Sequence, residues 1–222
     1  MLLYTKNGRV IAAANMLPSV WDGTQEGLPA GWDAALAQVA QEHVEGRSPT
    51  ALLAVSVTVD LQYQGQGISS IMLGAIHKNA AYHGFQCMIA PVRPTWKSHY
   101  PFIAMQEYIG WTRENGEPFD PWIRVHARLG GEILTVAPRS MVVRGTIAEW
   151  EAWAGTRFPR YGAYAVSGAL HPVILNYEKN EGLYEEPNVW VVNTITAEER
   201  AKHRPVDQSN WRKIIMRIFS RL

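Results

Sequence analysis

The chain has 222 residues, 47% of them hydrophobic, with a formal net charge of +1, enough for one large domain or one domain with extensions around a real core. The near-neutral charge argues against nucleic acid as a main partner, no apolar stretch approaches the ~20 residues of a membrane span, and Lys6 and Gly8 arrive too soon for a signal peptide. Cys87 is the only cysteine, so no disulfide within the chain and no metal site are expected; a soluble, cytoplasmic protein follows, with Cys87 a small hydrophobe in a buried strand.

Residues 2–4 and 10–16 read as two strands around the turn Lys6-Asn7-Gly8. Residues 17–31 are loop-like, with Pro18, Gly23, Gly27 and Pro29. The spacing of Trp32, Leu36, Val39, Ala40 and Val44 predicts a helix over 32–44 that stops at Gly46. Residues 51–59 are apolar on both faces, as in a central strand. After the glycine turn that follows, Ile68, Ile71, Met72, Ala75 and Ile76 set a helical period over 68–82, which ends at Gly84. Residues 85–92 form the next strand, and the resulting βαβ unit makes the two strands parallel.

Residues 91–119 are long and irregular, with Pro91, Pro94, Pro101 and Pro118; such loops are functional or carry short helices. Asp120-Pro121 is an N-cap with proline in the first turn, opening a helix through Leu129 that ends at Gly130-Gly131. Strand pieces are expected at 132–137 and 140–144, then a capping-box helix from Thr146-Ile147-Ala148-Glu149 carrying Trp150 and Trp153. Further strands are expected within 161–175 and 189–192. Residues 211–222 form a basic amphipathic helix with Trp211, Ile214, Ile215, Ile218 and Phe219 on one face.

The most informative segment is Val57-x-Val59 followed by Gln62-x-x-Gly65-x-Gly67 and the helix from Ile68. A strand, a glycine turn and a helix N-terminus make an anion site, because first-turn amides lack intrahelical partners and the helix dipole favours negative charge. A P-loop would need Lys where Ile68 stands. A dinucleotide fold would need a third glycine where Ser70 stands, and an acid near the next strand, which instead runs into Pro91, Val92 and Arg93. An ordinary turn with glycines for geometry alone is the plain alternative. The segment resembles the acyl-CoA-binding motif of the GNAT acyltransferase superfamily. The resemblance implies an α/β fold with a central mixed, mostly antiparallel sheet flanked by helices, and acetyl-CoA or another acyl-CoA as substrate. It implies that the backbone of Val57 and Val59 meets the pantetheine amides. It also implies that Gln62, Gln64, Gly65, Gln66, Gly67, Ile68 and Ser69 hold the pyrophosphate.

Residues 121–132 resemble a second family element, a helix whose tyrosine commonly protonates the departing thiolate. His126 stands at the tyrosine position, Gly131 replaces an aromatic, and residues 94–119 are an insertion. His126 shares a face with Trp122, Val125 and Leu129, so it is a core histidine or a general acid that titrates near neutral pH. It could also stabilise an enolate. His171, placed on a late strand, is a rim histidine or a second catalytic candidate, because late strands flank the acceptor site in this fold. Arg139 and Ser140 could contact a substrate carboxylate, and Thr135 or Ser140 could supply a hydroxyl beside a histidine. The strand over 51–59 has no acid to serve as the family's usual base, and Asp60 lies too close to the turn to replace it.

The family's first strand and helices have no counterpart before residue 2. Residues 1–192 are expected to form the GNAT-like domain and 193–222 an extension. Three functions are compatible with this pattern. The first is a CoA-dependent acyltransferase, most simply an N-acetyltransferase. The second is a malonyl-thioester decarboxylase or S-acyltransferase working with an acyl carrier protein. The third is an acyl-CoA binder without catalysis. The basic helix over 211–222 suits an acidic carrier protein, its own domain or the second copy of a homodimer. The acceptor has no readable motif.

Overall fold

A computed structural model describes residues 1–202. The helix expected over 211–222, with the partners proposed for it, lies outside the described residues. Strands β1 (Leu2–Tyr4) and β2 (Val10–Ser19) form the expected hairpin, with Gly8 at φ +84° in the turn. Helix α1 (Trp32–Glu45) follows, then β3 (Ala51–Val59), a 3-10 turn (Leu61–Tyr63), α2 (Ile68–Tyr82) and β4 (Cys87–Val92). The rest comprises α3 (Met105–Tyr108), α4 (Pro121–Arg128), β5 (Gly131–Gly145), α5 (Ile147–Ala154), β6 (Gly162–Tyr164), β7 (Val173–Asn176), β8 (Glu181–Thr194) and α6 (Ala197–Ala201).

The eight strands among the described residues make one sheet in the order β1-β2-β3-β4-β8-β7-β6, with β5 on the opposite edge of β8. Only β3 and β4 run parallel; every other pair is antiparallel. The sheet is mixed and mostly antiparallel. Alternation along β8 divides the core. Val189 and Val191 pack with Met72, Leu73 and Ile76 of α2 and Ile123 of α4. Trp190 and Val192 pack on the other face with Ala35 and Val39 of α1. Tyr184 joins a third cluster with Ile147 and Trp150 of α5.

Several elements depart from expectation for tertiary reasons. β2 runs on to Ser19 through Pro18, beyond the reach of β1, so the missing proline N–H costs no ladder bond on that edge. The two strand pieces over 132–144 are one strand, β5, with two irregularities against β8. The segment 161–175 is strand only at its ends, with a turn at Gly168 (φ +81°) between them. β8 starts at Glu181 rather than at 189, because β5 and β7 pair with its polar first half. Ile71 is 59% exposed, and Leu73 is the residue of α2 that enters the core there. Leu129, expected on the inward face of α4, is 38% exposed at its end. Cys87 is half-buried, and burial pushes its thiol up to about 11, so it is an inert packing group.

The insertion 94–119 is ordered by buried polar anchors. Lys97 is fully buried, and its Nζ donates to the carbonyls of Tyr100 and Leu170, both at 2.7 Å; burial lowers its pKa. Asp120 caps α4 through the amides of Trp122 (2.9 Å) and Ile123 (3.1 Å). Its other oxygen accepts from the Trp96 amide (2.8 Å) and the Tyr108 hydroxyl (2.9 Å). Asp120 thereby fixes the insertion to the N-terminus of α4.

Candidate active site

A bulge and a short pairing open the sheet. Asn15 of β2 faces Ser56 and Met16 faces Ala54, so Val55 is an extra residue in β3. β3 and β4 pair only at Leu52–Met88 and Leu53–Ile89, then part. The gap becomes a cleft of about 740 Å³ lined by residues from both faces of the sheet. On the α2 face it meets the glycine turn, Val125 and His126; on the α1 face it meets Trp32, Met141, Glu186 and Asn188. The cleft therefore passes through the sheet.

Val57 and Val59 line this cleft, as do Gln64, Gly65, Gly67, Ile68 and Ser69. Gly65 and Gly67 both have φ +75°, and Gly67 is the N-cap of α2. The amides of Ser70 and Ile71 return to the Gly67 carbonyl, at 3.1 and 3.2 Å. The amides of residues 65–69 have no partner among the described residues. This is an open, preformed anion cradle at a helix N-terminus. Gln64 Nε2 donates to the Val59 carbonyl at 3.1 Å and ties the turn to β3. Gln62 and Gln66 differ from expectation: they do not line the cleft, because Gln66 Nε2 donates to the Gln62 carbonyl at 3.3 Å and the pair shapes the outside of the turn.

His126 lines the cleft and is 2% exposed, on an α4 held in place by Asp120. Trp122 meets its ring edge-on, with centroids 4.7 Å apart. Its Nδ1 has no hydrogen-bond partner. The neutral-pH titration expected of it does not hold: burial pushes its pKa down to about 4, against a smaller upward pull from Asn193, whose Oδ1 completes no hydrogen bond. At neutral pH the side chain is an uncharged imidazole.

His171 also departs from expectation. It is exposed in the loop between β6 and β7 and does not line the cleft, because the expected strand turns at Gly168 before reaching it. Ser140 is fully buried, and its Oγ accepts the Trp32 amide at 2.8 Å, so it caps α1 instead of facing a substrate. Arg139 pairs with Glu185 at 2.7 Å. Neither these two nor Thr135 lines the cleft.

Three polar cleft residues and Trp32 have no sequence signal as site residues. Glu186 is 3% and Asn188 2% exposed, on a strand whose expected start lay beyond both. Arg93 Nε lies 3.0 Å from both carboxylate oxygens of Glu186, and its Nη2 donates to the Gly168 carbonyl at 2.6 Å. The Tyr184 hydroxyl donates to Glu186 Oε2 at 2.7 Å and accepts from the Leu170 amide at 2.9 Å. Burial, with Glu186 adding, holds the Tyr184 phenol well above its usual range. Asn188 Oδ1 is buried without a partner. Among the described residues, no group of three or more His, Cys, Asp or Glu side chains gathers to hold a metal, and no helix is long and apolar enough to cross a membrane.

No protein-family model matches this sequence. The chain is 31% identical, over 213 aligned positions, to arginine N-acetyltransferase avaD of Aspergillus versicolor, covering 86% of this chain and 72% of that protein. Its fold is similar to the GNAT-like loading domain of CurA from Lyngbya majuscula, with TM-score 0.55, 16% identity and coverage of 87% and 74% of the two chains. It is also similar to the GphF GNAT-like decarboxylase in complex with isobutyryl-CoA, with TM-score 0.53, 12% identity and coverage of 87% and 76%. With a bulged β3, a split from β4 and a glycine cradle at the head of α2, the chain belongs to the GNAT superfamily and is a CoA-dependent acyltransferase.

Proposed function

We propose that the protein transfers an acetyl group from acetyl-CoA to an amine. The observation that carries this reading is the cleft through the sheet with the glycine cradle at its mouth. The amides of residues 65–69 hold the pyrophosphate, Val57 and Val59 pair with the pantetheine, and the thioester reaches the opening beside His126. Positioning amine and thioester together supplies most of the acceleration. As the amine nitrogen bonds to the thioester carbon, it releases a proton. His126, neutral at rest with Nδ1 unpartnered, takes that proton and returns it to sulfur as the C–S bond breaks. The products are the amide and CoA thiol, and no net proton is consumed by the side chain. A cytoplasmic setting is part of the same proposal, supported by the single cysteine.

The relative's name makes arginine the first acceptor to test. Thiol release from acetyl-CoA, followed with a thiol reagent, is expected with arginine or another amine, together with the acetylated product by mass. CO₂ from malonyl-CoA without any acceptor would establish decarboxylation instead. Binding of acetyl-CoA with no thiol release across an amine panel would leave a binder without transfer.

A further inference from the structure

Tyr184, Glu186, Asn188 and Trp190 alternate onto one face of β8. Trp190 packs under α1 and Tyr184 under α5, so this row is apolar or aromatic at both ends. Between them stand two buried polar residues that face the cleft. On the edge of β8 toward β4 and β7, residues 184–188 are paired to neither: β7 takes 181–183 and β4 takes 189–194. Glu186 and Asn188 therefore stand where the sheet is open, opposite the face that carries the glycine cradle and His126.

Both groups present oxygen acceptors. A carboxylate has about four lone-pair sites. In Glu186 only part of them is used, by the single Nε–H of Arg93, shared across both oxygens, and by the Tyr184 hydroxyl on Oε2, which leaves Oε1 able to accept again. Asn188 Oδ1 accepts nothing, although it is 2% exposed. A buried carbonyl oxygen without a donor is costly unless a ligand supplies one. Arg93 does not fill this role; its Nε is spent on Glu186 and its Nη2 is tethered outward to Gly168.

The geometry points to Glu186 and Asn188 as the acceptor subsite, selecting a molecule with a cationic, hydrogen-bond-donating nitrogen group such as an ammonium or guanidinium. Arg93 and Tyr184 are positioning residues that hold the Glu186 carboxylate in place. The inference rests on the transferase reading above for its orientation: donor from the α2 face, acceptor from the α1 face.

The test is calorimetric titration of the CoA complex of the full chain with arginine, agmatine, butylamine and butylguanidine, and with butylurea as the uncharged isostere of butylguanidine. Cations are expected to bind, with butylurea at least about tenfold weaker than butylguanidine. Glu186→Gln and Asn188→Leu are each expected to weaken cation binding about 10- to 100-fold, the loss of one charge-assisted or otherwise unsatisfied bond, with CoA affinity unchanged. If Glu186→Gln fails to fold, Asn188→Leu carries the test, since it keeps the number and branching of the side-chain heavy atoms. Butylurea binding as tightly as butylguanidine, no binding by any of the cations, or both variants binding as the wild type does would overturn the subsite. Cation binding without turnover would instead overturn the transferase reading and leave the subsite standing.

Discussion

The indole N–H of Trp32, the first residue of α1, donates to the carbonyl of Val55, the bulged residue of β3, at 3.2 Å. The bulge takes Val55 out of the ladder with β2, and the parting of β4 leaves no ladder on the other side. The indole therefore satisfies a carbonyl that the opening of the sheet would otherwise leave without a protein donor. Trp32→Phe keeps the ring and removes the donor. It is expected to cost about 1–3 kcal/mol in urea unfolding, the range for an acceptor left unsatisfied. An unchanged unfolding midpoint would mean that water replaces the indole there.

Gly67 separates charge from backbone geometry. At φ +75°, any side chain is strained by about 1–2 kcal/mol, but a Cβ at this position meets nothing within 4 Å. Gly67→Ala should lose that much stability and keep most CoA affinity. Gly67→Glu should be similarly stable and bind no CoA, because a carboxylate then stands at the anion cradle. Equal CoA affinity in the two variants would remove the pyrophosphate from this turn.

Asp120 joins the insertion to α4 through four hydrogen bonds. Asp120→Ala removes the helix cap and orphans the Tyr108 hydroxyl and the Trp96 amide. A loss of about 2–4 kcal/mol is expected in chemical denaturation. Turnover should fall with it, since α4 carries His126. A stable variant with full activity would show that residues 94–119 are dispensable to the position of α4.

His126 makes stability depend on pH in a definite direction. Burial pushes its pKa down to about 4 in the folded protein, against the 6.5 of an ordinary histidine. Between those values the unfolded chain binds a proton that the folded chain does not, so stability is full above pH 6.5 and falls as pH drops toward 4. The slope contributed is about 1.4 kcal/mol per pH unit, up to about 3 kcal/mol in all. His126→Gln should flatten this dependence between pH 7 and 5 in urea titrations. It should also keep CoA binding while turnover falls about 100- to 10,000-fold. Near-normal turnover with the flattened profile would make His126 a core residue only.

The glycine-turn half of the cleft is legible because its geometry is local. The strand, glycine turn and helix over 51–82 lie in one continuous segment, and each glycine has a conformational reason to be there. The same holds for α4, whose cap and proline are adjacent in sequence. The bulge at Val55 was hidden, because a run that is apolar on both faces reads identically with or without an extra residue. Glu186 and Asn188 were hidden for a different reason. Glu185, Glu186, Pro187 and Asn188 have loop composition, and they become strand only because β5, distant in sequence, pairs alongside. His171 was misplaced because a turn at Gly168 interrupts what composition alone suggests is one strand.

Strand β8 is central in the sheet, yet among the described residues it follows every other strand. During synthesis, the edge of β4 that ends at residue 92 is made well before its neighbour begins pairing at residue 189. At about 5–20 residues per second, that interval of roughly 100 residues lasts about 5–20 s. Through it, β1 to β4 form a half-sheet with an unpaired inner edge, a template for pairing with any other nascent strand. Chains cut before residue 189 should therefore accumulate as aggregates rather than as smaller folded units.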